Sequence, residues 1–220
     1  GGTATDIWSH SWNLNDAYSA GRSDGGEYIT HTSCPGHAGE FIKVNNYTLE
    51  PELLWSNHMA AMGVYAHEYG HALGLTDLYD YDNSSEGVGN WSLMASGSWT
   101  GVSYAGDRPA HLDPWSKYYL GWITPVLVQG EEDVTIKQAS AADANFYQVL
   151  SGTPLSGEYF LLENREKTGF DAGLPGSGLL IWHIDGTIFS TTVNNAECYP
   201  GGPSCAMQHY AVALVQADGK

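Results

Sequence analysis

The sequence predicts an α+β fold, on three observations. Residues 1–50 show short runs of apolar and aromatic residues broken by turn residues, the stretch from Pro51 to Leu75 has helix-forming composition, and beyond Thr124 the pattern becomes β-rich. In the first region DIWSHSWNLND, with Ile7, Trp8, Trp12 and Leu14, reads as a short strand running into a loop. Gly21 to Gly26 is a turn-rich break, after which GEYITHTS and GEFIKVNNYTL read as two further strands separated by Cys34-Pro35-Gly36.

From Pro51 the sequence PELLWSNHMAAMGVYAHEYGHALGL sets a proline where a helix can start, followed by Ala, Met, Leu and Glu that favour its continuation. Gly63 is a point at which it would divide into two helices. The second carries Val64, His67, His71 and Leu75 near helical spacing, with Gly74 placed to end it. Residues 76–106 are loop by composition, with Trp91, Leu93, Met94 and Trp99 as apolar anchors. HLDPWSKYYLGW reads as a short helix, Asp113 capping it ahead of Pro114. Beyond Thr124 the runs DVTIKQ, NFYQVL, EYFLLEN, GLLIWHI and YAVALVQ read as strands. A boundary near Pro125 divides a chemistry-bearing region, 1–125, from a β-rich lobe, 126–220.

A chain of 220 residues can bury one good core, and a 42% hydrophobic content with 8 Trp and 14 Tyr supplies the apolar surface. Its 25 acidic residues against 8 Lys+Arg give a formal net charge of -17, which repels phosphate backbones and anionic membranes and argues against a nucleic-acid partner. Such an excess of carboxylates suits solubility in salty or extracellular surroundings. Within CYPGGPSC, Cys198 and Cys205 are the easiest pair to close as a disulfide, which would place the protein in an oxidising compartment. No apolar run is long enough to span a bilayer, and no signal peptide is visible. Opening on Gly1-Gly2 and stopping at QADGK, the chain reads as a processed or excised piece of a larger precursor.

The chemistry lies in HEYGHALGLTD. His67 and His71, four apart on a helix, stand one turn above each other on one face, so both imidazoles can reach a single tetrahedral Zn²⁺. Glu68, next to the first ligand, can reach a water at that metal, take its proton as general base and hand it to a leaving amine. The bland alternative is a pair of surface histidines, but a chance match to His-Glu-x-x-His in a chain of this length is on the order of one per cent. Gly74 lets the helix stop and fold back, so that Asp77 supplies a carboxylate as third ligand and leaves a fourth position open. His111 and other carboxylates compete for that role. No GxSxG elbow or reactive-cysteine context is present.

In WSLMASGSW, Met94 resembles the Met-turn of metzincins, a methionine lying beneath the zinc site. Together HEYGHALGLTDLYD, GVGNWSLMASGSW, PAHLDPWSKYYLGW, LLENREKTGFDAGLPGSGLLIWHID and VALVQADG resemble the immune inhibitor A type of bacterial secreted metallopeptidase, the M6 family, from about Asp6 to the end. That resemblance implies a metzincin-like zincin with a mixed sheet, an active-site helix, a Met-turn and a β-rich C-terminal lobe. It further implies a secreted zinc endopeptidase acting on protein substrates, made with a pro-segment and further C-terminal domains. Metzincins commonly bring a third His where this chain has Asp77, and many have a Tyr two residues after the Met where this chain has Ser96. The group that stabilises the oxyanion is open, with Tyr118, Tyr119 and His183 as candidates.

The run Asp77, Asp80, Asp82, Asn83 resembles oxygen-rich calcium loops without EF-hand spacing, so Asp80, Asp82 and Asn83 are candidate structural Ca²⁺ ligands beside the alternative of a solvated loop. Two rival readings stand. A thermolysin-like site would take a glutamate from a later helix, but Glu86 lies in a loop. A catalytically silent, calcium-dependent domain binding protein or carbohydrate would account for the many aromatics, but not for Glu68 set between two histidine ligands.

Overall fold

The structure, a computed structural model, describes residues 8–54, 58–80, 85–187 and 210–216. The chain forms two compact units, residues 1–60 and 61–220.

In the first unit strand β1 (His10–Asn13) pairs antiparallel with β4 (Asn46–Leu49), and β2 (Tyr28–Ser33) pairs antiparallel with β3 (Phe41–Val44). The segment read as one strand, GEFIKVNNYTL, is thus two strands in two separate sheets. Helix α1 (Leu14–Ser19) follows β1 directly because Asn13 caps it, its side chain accepting the Asp16 N–H at 2.8 Å.

No helix begins at Pro51. Leu54 N–H donates to the His58 carbonyl at 2.8 Å and Ala60 N–H to that of Glu52 at 2.9 Å, so the backbone that a helix would need is paired with itself. Helix α2 (Met62–Ala72) starts eleven residues after Pro51, with Ala61 in the extended conformation before it. Gly63 is the second residue of this helix and not a break: its N–H donates to the Gly106 carbonyl at 3.1 Å. A Cβ built on Gly63 would stand 1.9 Å from the backbone oxygen of Ser98, so only glycine allows α2 to lie this close to that turn.

Among the described residues of 76–106 there is no long element, only 3₁₀ turns at Gly89–Trp91 and Ser96–Trp99. Helix α3 (Pro114–Tyr119) is capped by Asp113, which accepts the Ser116 N–H at 2.9 Å. The second unit is built on a mixed five-stranded sheet in the order β5 (Val126–Val128), β6 (Tyr147–Val149), β7 (Glu158–Arg165), β8 (Gly178–Asp185), β9 (Val212–Leu214). Only β5 and β6 run parallel. The segment DVTIKQ forms no named strand. Asn145 accepts the Lys137 N–H at 2.7 Å and donates to the Thr135 carbonyl at 2.8 Å, so a side-chain amide fills the place of a neighbouring strand.

The core joins residues on both sides of Pro125: Leu75, Leu78, Met94 and Trp115 pack in one buried cluster with Tyr159, Leu161, Trp182, Ile184 and Val212. On β7 every second residue points into it, and the inward series Tyr159, Leu161, Glu163, Arg165 ends in two charges that are fully buried. Glu163 accepts from Arg165 Nη1 at 3.2 Å and from the Trp182 indole at 3.1 Å. Lys117 of α3 lies 4.0 Å from the same carboxylate, and burial pushes its amine below the usual lysine range. Among the described residues, no helix is long and apolar enough to cross a membrane.

Candidate metal centre

Helix α2 brings His67 and His71 together as the spacing requires, their rings edge to face with centroids 4.8 Å apart. The helix ends in a tight reversal. Gly74, at φ 97°, lets its own N–H donate to the His71 carbonyl at 2.9 Å and the Leu75 N–H to that of Gly70 at 3.1 Å, the paired bonds of a Schellman cap. The chain then turns back, and Asp77 Oδ1 comes within 3.1 Å of both His67 Nε2 and His71 Nε2. Among the described residues this is the one group of three or more His, Cys, Asp or Glu side chains with ligand atoms close enough to share an ion, all within 4.8 Å of one another.

The other ring nitrogens are already committed. His67 Nδ1 donates to the Leu93 carbonyl and His71 Nδ1 to that of Leu75, each at 2.9 Å. A carbonyl oxygen only accepts, so each Nδ1 carries a proton and each Nε2 is the atom that faces Asp77. Two imidazole Nε2 atoms and a carboxylate are a donor set suited to zinc. Burial by itself would push the His71 imidazole down, but the hydrogen bond and charge of Asp77, with the Leu75 carbonyl and Glu68 adding to them, hold its pKa above the ordinary value. Glu68, directly after His67 on α2, is buried with His67 and Asp77.

Met94 is fully buried beside the helix. A Cβ on Gly70 would stand 2.5 Å from its sulfur, so the thioether packs on the bare backbone between the two histidines. Its carbonyl accepts the Leu78 N–H at 2.7 Å, which ties the residue after Asp77 to this segment. Asp113 does more than cap α3: it also accepts the hydroxyls of Ser92 and Ser116, each at 2.6 Å, and Ser92 Oγ accepts the Met94 N–H at 3.1 Å.

The remaining candidates divide. Tyr119 Oη lies 3.7 Å from where a Cβ on Gly74 would be, at the turn between His71 and Asp77. Tyr118 packs, partly buried, on the hydrophobic core. His183 lies between the core residues Trp182 and Ile184 on β8, hence on the opposite sheet face, where its Nε2 donates to Glu158 Oε1 at 2.8 Å. His111 stays apart from the three-residue group, its Nδ1 lying 3.0 Å from Asp171 Oδ2. Asp80 is buried, and its Oδ2 accepts the Ser85 N–H. Asp82, Asn83, Cys198 and Cys205 lie outside the described residues, and Cys34 is half-buried, with no bridge among the described residues.

Sequence reasoning missed Arg165 and Asp171. Arg165 donates to Asp171 through Nε at 3.0 Å and Nη2 at 2.6 Å, and through Nη1 to the Trp91 carbonyl at 3.4 Å. Burial would raise the Asp171 carboxyl, but His111 and Arg165 hold it well below the usual range. A signal was present: a Glu and an Arg two apart, on the strand face that alternation assigns to the core.

The catalytic-domain model of the immune inhibitor A peptidases M6 matches residues 1–123. The chain is 40% identical over 123 residues to the pre-pro-metalloprotease PrtV of Vibrio cholerae (serotype O1, El Tor Inaba N16961), a match that covers 53% of this chain and 11% of that protein. It is 37% identical over 116 residues to immune inhibitor A of Bacillus thuringiensis subsp. alesti, covering 52% of this chain and 15% of that protein. Each match therefore spans only a small part of a much longer relative.

Proposed function

Because the chain belongs to the immune inhibitor A peptidase M6 family, we propose that it carries the zinc site of a secreted endopeptidase that hydrolyses peptide bonds of protein substrates. The observation behind this reading is the convergence of His67 Nε2, His71 Nε2 and Asp77 Oδ1, with both Nδ1 protons fixed on backbone carbonyls. These three residues would hold the ion. Zinc at that position supplies a Lewis acid that lowers the pKa of a water and polarises the scissile carbonyl.

The chain's own groups do the rest. Glu68 takes the proton of the attacking water and returns it to the leaving amine. His67 and His71 are held in orientation through their Nδ1–H bonds. Met94 forms the apolar floor beneath the ligand helix, in the manner of a Met-turn, and Tyr119 is the oxyanion candidate nearest the ligand turn. The segment from α2 to Met94 and the β-rich lobe, 126–220, are both needed, because Leu78 and Met94 share a core with Tyr159, Leu161, Trp182 and Ile184. The Vibrio relative is named a pre-pro-metalloprotease, which supports an exported precursor with a pro-segment here also.

The test is metal content of the purified chain, paired with casein hydrolysis before and after a chelator. About one zinc per chain with chelator-sensitive cleavage is expected. Calcium alone and no hydrolysis would move the reading to a silent binding domain.

A further inference from the structure

We propose that Asp171, clamped by Arg165, is a positioning residue for the metal ligand His67, acting through the backbones of His111 and Leu93. The inference rests on the zinc reading above and extends it to residues a hundred positions away.

The connection is a continuous series of bonds. Arg165 grips Asp171 through two nitrogens, at 3.0 and 2.6 Å. Asp171 Oδ1 accepts the His111 N–H at 3.0 Å, and its Oδ2 lies 3.0 Å from His111 Nδ1. The His111 carbonyl accepts the Leu93 N–H at 3.2 Å, and the Leu93 carbonyl accepts His67 Nδ1–H at 2.9 Å. Arg165 also reaches the other end of the same tripeptide directly, through Nη1 to the Trp91 carbonyl at 3.4 Å. Its middle residue, Ser92, hangs from Asp113 at 2.6 Å. Residues 91–93 are therefore held at every position by a buried charged side chain or by a backbone that one fixes.

Stability alone is a poor reason for this arrangement. Burying an ion pair costs desolvation that its attraction often fails to recover, and apolar residues of similar volume frequently serve as well. Arg165 and Asp171 are nonetheless buried almost completely. Their geometry accounts for what apolar residues could not do: fix a carbonyl oxygen in space. The Leu93 oxygen decides which nitrogen of His67 carries the proton and where the Nε2 lone pair points, and such outer partners of a metal ligand typically carry 10- to 100-fold in metal affinity.

The experiment is a zinc dissociation constant for the metal-depleted chain, by competition with a chromophoric chelator, alongside thermal unfolding. Asp171→Asn is compared with Trp182→Phe, which removes the indole bond to Glu163 in the same buried cluster but none of the bonds leading to Leu93. Asp171→Asn is expected to weaken zinc about 10-fold or more, while Trp182→Phe lowers the melting temperature and leaves zinc affinity within about twofold of wild type. Unchanged affinity in folded Asp171→Asn, or equal weakening in both variants, overturns the proposal. Should Asp171→Asn not fold, Arg165→Lys decides by the same criteria, since lysine keeps the charge but cannot grip Asp171 twice and reach Trp91. If wild type binds no zinc, the metal reading itself fails; if it binds zinc and the variants do not differ, only the positioning role falls.

Discussion

Two regions of this molecule are made of similar material and behave differently. The β2–β3 hairpin and the segment from α2 to Met94 both combine apolar and aromatic side chains with glycines at their turns. In the hairpin Tyr28, Ile29, Phe41, Ile42 and Val44 are all exposed, and Gly36 at its turn has open space where a Cβ would go. In the ligand segment Val64, Leu75, Leu78 and Met94 are buried, and Gly63, Gly70 and Gly87 lie against backbone oxygens or the Met94 sulfur. The hairpin shows that a sequence of this composition can pair without being packed. The ligand segment is held because charged side chains from distant parts of the chain are buried with it: Asp113 accepts the Ser92 hydroxyl and Arg165 donates to the Trp91 carbonyl.

The largest effect expected from breaking this contrast is on catalysis. Glu68→Gln should retain zinc yet lower peptide hydrolysis roughly 10²- to 10⁴-fold, read as kcat on a fluorogenic peptide. Next comes one substitution made in both regions. Gly63→Ala drives a Cβ to 1.9 Å from the Ser98 carbonyl and should cost about 3 kcal/mol in denaturant unfolding. Gly36→Ala meets nothing within 4 Å, and its positive φ alone should cost about 1 kcal/mol. Equal costs would mean that the ligand helix is not packed as described.

A third prediction concerns acid. The Asp171 carboxyl, faced by His111, Arg165 and, through Arg165, Glu163, titrates in the folded chain below its ordinary 3.8. Its contribution to stability is therefore complete above that unfolded value and is lost as pH falls through the lower folded one. Melting temperatures measured from pH 6 downwards should decline more steeply below about pH 4 in wild type than in Asp171→Asn. The smallest effect is at Phe41, where an exposed hairpin side chain changed to Ser should shift stability by less than about 0.5 kcal/mol.

What the sequence revealed and what it hid divide by the range of the forces involved. His67 and His71 were legible because helical period alone sets them side by side, Glu68 because it directly follows the first of them, and Asp77 because Gly74 three residues earlier allows the reversal. Asp113 was legible as a cap, being a local device three residues from its partner. Its second task, holding Ser92, was hidden because that partner is 21 residues away. The same holds for Asp171, whose backbone partner at His111 is 60 residues distant. The helix start misled because Pro51 satisfies a local rule, while Glu52 and Leu54 find partners across a return that no local rule foresees. Strand β5 has only three residues and no alternation long enough to read.

The most direct test of the account is the zinc content of the purified wild-type chain beside that of Asp77→Ala, measured by mass spectrometry after dialysis against a weak chelator. The account predicts about one zinc per wild-type chain and almost none in the variant, with the fold intact by circular dichroism. Equal zinc in both would contradict it, and would place the third ligand elsewhere in the chain.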